Sequence, residues 1–170
     1  DNVKEFYNGY LTQIRDADGN AIYLLYNNKE YSAGSNAWKP TSGSANVVSK
    51  IIRINNNGDA ADLPVTLFTL SYADGFLQSI TDVAGRKTSF GYTSVGGYKQ
   101  LTAITFPDGH KAMYSYDNAG SMLKAYDEEA KGGVGFVYAK FKGTVCVQKV
   151  REFAATSLTG AETVGSRWHL

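Results

Sequence analysis

Leu77-Gln78-Ser79-Ile80-Thr81-Asp82-Val83-Ala84-Gly85-Arg86-Lys87-Thr88-Ser89-Phe90-Gly91-Tyr92 is the stretch on which the fold turns. Within it Leu77, Ile80, Asp82, Gly85, Phe90 and Tyr92 fall at offsets 0, 3, 5, 8, 13 and 15. Leu11, Ile14, Asp16, Gly19, Leu24 and Tyr26 fall at the same offsets. So do Leu101, Ile104, Phe106, Gly109, Tyr114 and Tyr116, with Phe where the other copies have Asp. A fourth copy, Leu123, Tyr126, Glu128, Lys131, Phe136 and Tyr138, keeps the frame and lacks the glycine. Self-similarity at a fixed period of roughly 20–50 residues marks repeat architecture.

Each copy divides into two strands and two turns. Asp16-Ala17-Asp18-Gly19, Asp82-Val83-Ala84-Gly85 and Phe106-Pro107-Asp108-Gly109 read as type I turns. Asp at the first position caps backbone N–H groups, Pro at the second presets φ, and Gly at the fourth takes positive φ. Such a turn followed by a left-handed glycine closes a hairpin with a G1 bulge. The strand that follows is written in period two: Thr88, Phe90 and Tyr92 share one face, as do Ala112, Tyr114 and Tyr116. A second kind of turn links the units. Asn8-Gly9 and Asp74-Gly75 lie between strand-like runs and are strong hairpin signals. Tyr116-Asp117-Asn118-Ala119-Gly120 reads as a longer version, and Tyr92 to Tyr98 as a longer one still.

The expected organisation is a single all-β domain over 1–170, an antiparallel meander of repeated hairpins in a curved or spiralling sheet. Its units run over about 6–26, 50–72, 73–92, 98–116 and 117–138, with a faint copy over 145–170. The copy at Ile51, Ile54, Leu70 and Tyr72 carries an insertion around Asp59 to Pro64. The faint copy starts at Val147, Val150 and Glu152 and returns near Trp168 and Leu170. An insertion over 27–49, rich in Ser, Asn and Gly and holding Trp38 and Pro40, reads as an extended loop with a short strand at Ala45 to Val48. Ala125 to Lys131 could form a helical turn, but a stretch that short is marginal as an independent helix.

Composition agrees with strands. The chain is 43% apolar and 19% charged, as a folded domain is, and its twelve Tyr and eighteen Gly suit pleated strands joined by tight turns. The net charge is +1 with the signs interspersed, so nucleic acid has no electrostatic footing as a partner. No apolar run approaches the roughly 18 residues of a membrane span. The start at Asp1 fits a mature product or an excised piece. A single cysteine, Cys146, allows no disulfide within the chain and reads as a small strand residue.

Two stretches carry a family resemblance. Gly75 to Tyr92, and Leu101 to Asp117 with its Tyr116-Asp117 pair, resemble the YD repeat of RHS-type proteins. The resemblance runs over Leu70 to Tyr138 and Phe6 to Tyr26, fades from Ala139 onward and is absent from Asn27 to Ser49. It implies a large secreted or cell-surface protein, bacterial in origin. The family includes wall-associated proteins, RHS toxins, insecticidal toxin-complex subunits and the animal teneurins. It also implies a β-ribbon that spirals into a hollow shell, which in toxins encloses an effector. Carbohydrate binding is a further implied role. This chain is too short to close a shell alone, and it lacks the autoproteolysis motif that precedes toxin effectors.

The expected role is therefore that of a non-catalytic scaffold, structural or adhesive. The alternatives are a carbohydrate-binding module and a section of a toxin-enclosing shell. Asp16-Ala17-Asp18-Gly19-Asn20 puts oxygens at alternate positions, but its glycine stands fourth and no Glu follows at the twelfth position, so it reads as a turn and not a calcium loop. His110 leaves a turn, and neither it nor His169 has metal-ligand spacing. No nucleophile elbow or phosphate loop is present, and the sequence calls for no cofactor, metal or catalytic residue. The repeat-defining residues are Leu11, Ile14, Gly19, Tyr26, Leu77, Ile80, Gly85, Tyr92, Leu101, Ile104, Gly109, Tyr116, Leu123 and Tyr138. Tyr26, Tyr72, Tyr92, Tyr116 and Tyr138 make either a packed cross-strand ladder or a platform for sugar rings. Tyr7, Tyr10, Tyr31 and Trp38, which lie off the ladder, are the candidate glycan contacts. The expected partners are further repeats of the same parent chain, a cell-surface glycan and, through open sheet edges, other copies. If Gly85 closes its turn with positive φ, Gly85→Val costs about 1 kcal/mol or more, read as a lowered melting temperature.

Overall fold

The computed structural model describes residues 4–7, 11–26, 29–32, 37–40, 47–55 and 64–169, with backbone alone in the strands at 4–7, 29–32, 37–40 and 163–169. Every regular element among them is a strand. These are β1 (Lys4–Tyr7), β2 (Leu11–Arg15), β3 (Ala21–Tyr26), β4 (Lys29–Ser32), β5 (Ala37–Pro40), β6 (Val48–Ile54), β7 (Val65–Ala73), β8 (Phe76–Asp82), β9 (Lys87–Val95), β10 (Tyr98–Thr105), β11 (Lys111–Tyr116), β12 (Met122–Asp127), β13 (Gly132–Phe141), β14 (Thr144–Ala154) and β15 (Thr163–His169). The larger sheet follows chain order and leaves out β4 and β5, which pair with each other. The fold is an antiparallel meander of repeated hairpins. It divides into two compact units, Asp1–Lys87 and Thr88–Leu170.

The turns follow from the residues that make them. In four loops the fourth residue donates its N–H to the carbonyl of the first, and the first donates to the carbonyl of the fifth. The first and fourth residues are Asp16 and Gly19, Asp82 and Gly85, Phe106 and Gly109, and Asp117 and Gly120, all with distances of 2.9–3.2 Å. All four glycines have positive φ, and at Gly85 (φ 79°) nothing lies within 4 Å of an added Cβ, so a substitution there meets conformational strain and no clash. The Asp117–Gly120 segment was expected to be a longer unit-linking turn. It is instead the same bonded loop as the others, because its Asp and Gly stand at the same separation.

A second turn type has two residues of positive φ, the signature of type I′. It occurs at Asp74-Gly75, Gly96-Gly97 and Lys142-Gly143. The long connection expected between Tyr92 and Tyr98 is such a turn. The strands run on to Val95↔Tyr98, and only Gly96-Gly97 turns. A Cβ at Gly96 would stand 2.1 Å from the Asn118 carbonyl oxygen, so the turn needs glycine for space as well as for φ. Asn8-Gly9, between β1 and β2, lies outside the described residues.

One further reading is corrected. The insertion read as an extended loop holds the β4–β5 hairpin, paired from Lys29↔Pro40 to Ser32↔Ala37. Of the short strand expected there, Ala45 and Asn46 lie outside the described residues, and Val48 opens β6. Ala125 to Lys131, too short to be adopted as a helix, is strand and turn: β12 runs to Asp127 and a turn follows. Asp59 to Leu63 in the other insertion lie outside the described residues.

Burial is thin. In the first unit a cluster of Ala21, Tyr23, Leu25 and Ile52, with Ile54 beside it, occupies one face of the β3–β6 pair. In the second, Tyr126, Phe153 and Ala155 form a cluster with Met113 and Leu158. Met113↔Tyr126↔Gly133↔Phe153 is a single cross-strand row. Gly133 carries no side chain there, so the Tyr126 and Phe153 rings lean together above it, with centroids 6.4 Å apart and planes 14° apart. A Cβ at Gly133 would meet the Ala125 carbonyl oxygen at 2.0 Å.

The copy without the glycine keeps the backbone that glycine serves. Lys131 takes φ 49°, left-handed, at the offset Gly19, Gly85 and Gly109 occupy. An L-residue there costs roughly 1–2 kcal/mol. Lys131→Gly is expected to stabilise the second unit by about 1 kcal/mol, after allowing for glycine's extra freedom in the unfolded chain. A thermal melt checks it: the melting temperature rises, whereas Lys131→Ala leaves it unchanged or lower.

Candidate functional site

The repeat tyrosines sit where the ladder slips. On the strand facing each one, a single residue is looped out of register. Leu25↔Lys50 is followed by Tyr26↔Val48, which leaves Ser49 out. Ser71↔Ser79 is followed by Tyr72↔Leu77, leaving Gln78 out. Thr102 is left out opposite Gly91 and Tyr92, Leu123 opposite Ser115 and Tyr116, and Gln148 opposite Val137 and Tyr138. At the start of the sheet Thr12 is left out opposite Phe6 and Tyr7. A bulge leaves backbone groups unmatched and sharpens the local twist.

Hydroxyls deal with the mismatch. Tyr26 Oη donates to the Leu11 carbonyl oxygen at 2.9 Å, Tyr116 to that of Leu101 at 2.7 Å, and Tyr138 to that of Met122 at 2.8 Å. Each tyrosine thus pairs through its backbone with the strand that follows and through its phenol with the strand before. The looped-out residues contribute as well: Ser49 Oγ donates to the Leu25 carbonyl at 3.0 Å and Thr102 Oγ1 to that of Gly91 at 3.3 Å. Burial raises the Tyr72 phenol above its ordinary range; at Tyr116 burial does the same, with the neighbouring Tyr114 phenol adding to it. The register also moves one repeat-defining position. Leu11, Leu77 and Leu101 directly face Tyr7, Tyr72 and Tyr92, but in the fourth copy Met122 faces Tyr116, and Leu123 is the looped-out residue. Sequence reasoning missed the hydroxyl half of this motif. Its trace is the polar residue after the apolar one: Leu11-Thr12, Val48-Ser49, Leu77-Gln78, Leu101-Thr102 and Val147-Gln148.

The opposite strand ends are held by aspartates. Asp82 Oδ1 accepts from Ala84 N and Arg86 N, both at 2.9 Å, and Oδ2 from Arg86 Nε at 2.7 Å. Asp117 Oδ1 accepts from Ala119 N and Ser121 N, both at 2.9 Å. Asp16 spends both oxygens on Asn20, one on its backbone N–H and one on its side-chain amide, and the side-chain bond leads in holding the carboxyl below its ordinary range. At Asp82 desolvation pulls upward, and the bonds from Arg86 outweigh it. Where Phe106 replaces the first Asp, Asp108 takes over. It accepts from His110 N at 3.2 Å and faces His110 Nδ1 at 2.5 Å, and the imidazole stacks on Phe106 at 4.3 Å. The desolvation of Asp108 is likewise outweighed by its bond to His110, and the carboxyl stays low. His110 is thus a working part of a turn.

In the second unit, residues 155–162 lie across β12 and β14. Ala155 N donates to the Lys131 carbonyl at 3.0 Å, Tyr126 Oη to the Ala155 carbonyl at 3.2 Å, and Lys124 Nζ to the Leu158 carbonyl at 3.5 Å. Glu162 ties the segment down through Lys124 at 3.3 Å and through Arg151. An open hollow of about 370 Å³ lies beside the first turn, lined in part by Asp16, Arg53 and Asn55. No group of three or more His, Cys, Asp or Glu among the described residues is placed to hold a metal ion.

Of the candidate glycan contacts, Tyr10 lies outside the described residues. Tyr7 ends β1. Tyr31 and Trp38 are direct cross-strand partners in the β4–β5 hairpin and so share one of its faces.

Against known proteins, the likeness is one of fold. The chain is similar to a chain in the crystal structure of TcdB2-TccC3-Cdc42, with a TM-score of 0.58 and 13% identity, covering 95% of this chain and 8% of that one. It is also similar to a chain in the crystal structure of TcdB2-TccC3, with a TM-score of 0.50 and 12% identity, covering 94% of this chain and 10% of that one. The fold is RHS-like. No protein-family model and no curated protein matches the chain. It spans a tenth or less of the two chains it resembles.

If the phenol bonds secure the bulges, Tyr116→Phe costs about 1 kcal/mol while leaving the ring in place. Thermal unfolding measures the loss, and amide exchange locates it at the Leu101–Tyr116 end of the second unit. Unchanged protection there would assign the tyrosine to packing alone.

Proposed function

We propose that this chain is a non-catalytic stretch of an RHS-type β-scaffold, a length of shell-like wall within a much larger secreted or cell-surface bacterial protein. One observation carries the reading: nearly the whole chain aligns in fold with a small part of two much longer chains. The local chemistry fits. The turn aspartates and ladder tyrosines are committed to backbone bonds that hold strands in register. Thin burial also fits a wall, since a repeat sheet shares its stability among neighbouring strands. Partners on this reading are further repeats of the parent chain, and the cargo of such a wall would be an effector.

A second reading, glycan binding, rests on Tyr31 and Trp38. They are cross-strand partners by register in the hairpin that departs from the repeat, and aromatic residues are the type that stacks on sugar. Two measurements separate the readings. Imaging the full-length parent protein by electron cryomicroscopy is expected to show these strands continuing into a wall. Finding them in a detached module would overturn the scaffold reading. Calorimetric titration with cell-wall oligosaccharides is expected to give no saturable heat, and Trp38→Ala no change. Saturable binding that Trp38→Ala abolishes would favour the glycan module.

A further inference from the structure

Three of the four bonded loops end in Asn20, Arg86 and Ser121; the one after β10 ends in His110. β11 leads away from that loop and β12 leads back, so the next turn at the same end of the sheet is Asp127-Glu128-Glu129-Ala130-Lys131. Glu128 N donates to the Lys111 carbonyl at 2.9 Å, which sets this turn beside His110. The imidazole lies between two carboxylates. Its Nδ1 stands 2.5 Å from Asp108 Oδ1, on its own loop, and its Nε2 3.7 Å from Glu129 Oε2, on the neighbouring turn. Stacking on Phe106 supports the ring in that orientation. We propose that His110 is a proton-operated latch between the two loops: protonated, it bridges Asp108 and Glu129, and neutral, it holds Asp108 alone. The latch goes beyond the scaffold reading and does not depend on it.

One proton makes the difference. Neutral imidazole has a single N–H and a single lone pair, so with Nδ1–H given to Asp108 it turns a lone pair towards Glu129; imidazolium donates from both nitrogens. An imidazole changes charge between about pH 5 and 8. The desolvation of Asp108 is outweighed by its bonds to His110, so that carboxyl stays below its ordinary range and remains ionised through this window. The bridge is therefore present in mild acid and lost as pH rises and the ring gives up its proton. The other charged residues of the two loops and of the strand between them are Lys111, Asp127, Glu128 and Lys131. Asp127 Oδ1 accepts from Ala130 N at 2.8 Å within the turn, and among the described residues the carboxylates that reach the ring are those of Asp108 and Glu129. The Glu129 side chain is 76% exposed, so its arm is a modest contact, enough to bias the local opening of a turn and not the folding of the unit. The turn it steadies is a junction, since the Lys131 carbonyl accepts from Ala155 N where the covering segment begins.

Amide exchange of the intact chain, read by nuclear magnetic resonance as protection relative to an unstructured chain at the same pH, tests the latch. The reporter is the Glu128 amide, which bonds to the Lys111 carbonyl, and the control is the Gly120 amide, which closes a loop with no histidine. Protection at Glu128 is expected to be about threefold higher at pH 5.5 than at pH 8, the size of an exposed ion pair, and the gain is expected to shrink as salt rises. Glu129→Gln is expected to remove the gain while leaving the Asp108–His110 contact in place, and His110→Gln to remove it as well. The exposed Glu129 variant keeps the test open if replacing His110 disturbs its loop. An absent gain in the unmodified chain, an equal gain at Gly120, or a gain that survives in Glu129→Gln would each overturn the bridge. None of these failures touches the scaffold reading, which rests on the parent protein's wall.

Discussion

A bulge opposite each repeat tyrosine, where one residue leaves the ladder, is the constraint around which this repeat is built. Each bulge takes one residue out of the pairing, and unpaired backbone groups removed from water cost free energy comparable to a lost hydrogen bond. The tyrosines at 26, 116 and 138 answer that cost from the neighbouring strand, and Ser49 and Thr102 answer it from within the bulge. Each bond is modest, about 1 kcal/mol net. Among the described residues the buried clusters are small and no large side chain is fully buried, so bonds of that size recurring from copy to copy are a main source of order. They also fix register, because a one-residue slip would move the phenol to the other face.

The opposite strand ends are controlled by charge. An aspartate at the start of a loop gathers two backbone N–H groups, and the glycine three residues later allows the reversal. The two ends differ in their tolerance of change. The loop survives replacement of Asp by Phe106, since Asp108 and His110 rebuild the bonding, and in the copy without glycine the positive φ is kept by Lys131 at a conformational cost. At the tyrosine end the hydroxyl must reach one particular carbonyl, which leaves less room for substitution.

The periodicity of the sequence carried the strands, the hairpins and the aspartate–glycine loops into view, because those depend on residues close together in the chain. The bulges were hidden. Their effect is to shift pairing by one, and spacing alone cannot distinguish Leu123 from Met122 as the partner of Tyr116; the Tyr138 phenol reaches Met122 across a separation one residue longer than in the other copies. Lys131 was hidden because its left-handed backbone is imposed by the surrounding ladder against the preference of its side chain. The β4–β5 hairpin escaped because its strands are only four residues each and stand in a stretch, 27–49, rich in Ser, Asn and Gly, a composition shared with loops. Gly96-Gly97 was legible in principle, as a pair suited to positive φ between strand-forming runs; at Lys142-Gly143 only the glycine signals the turn.

In a repeat scaffold, equivalent positions do equivalent structural work, so individuality lies where the repeat is broken. Two departures stand out among the described residues. The β4–β5 hairpin interrupts the succession after β3 and pairs with itself instead of joining the larger sheet. The segment 155–162 covers the Tyr126–Phe153 row and is clamped by Glu162 between Lys124 and Arg151. The covering segment works for the sheet, adding burial to a face that the strands alone leave thinly packed. The hairpin adds nothing to the larger sheet's ladder, which is why it, and not the tyrosine ladder, is where this chain's own specificity is best sought.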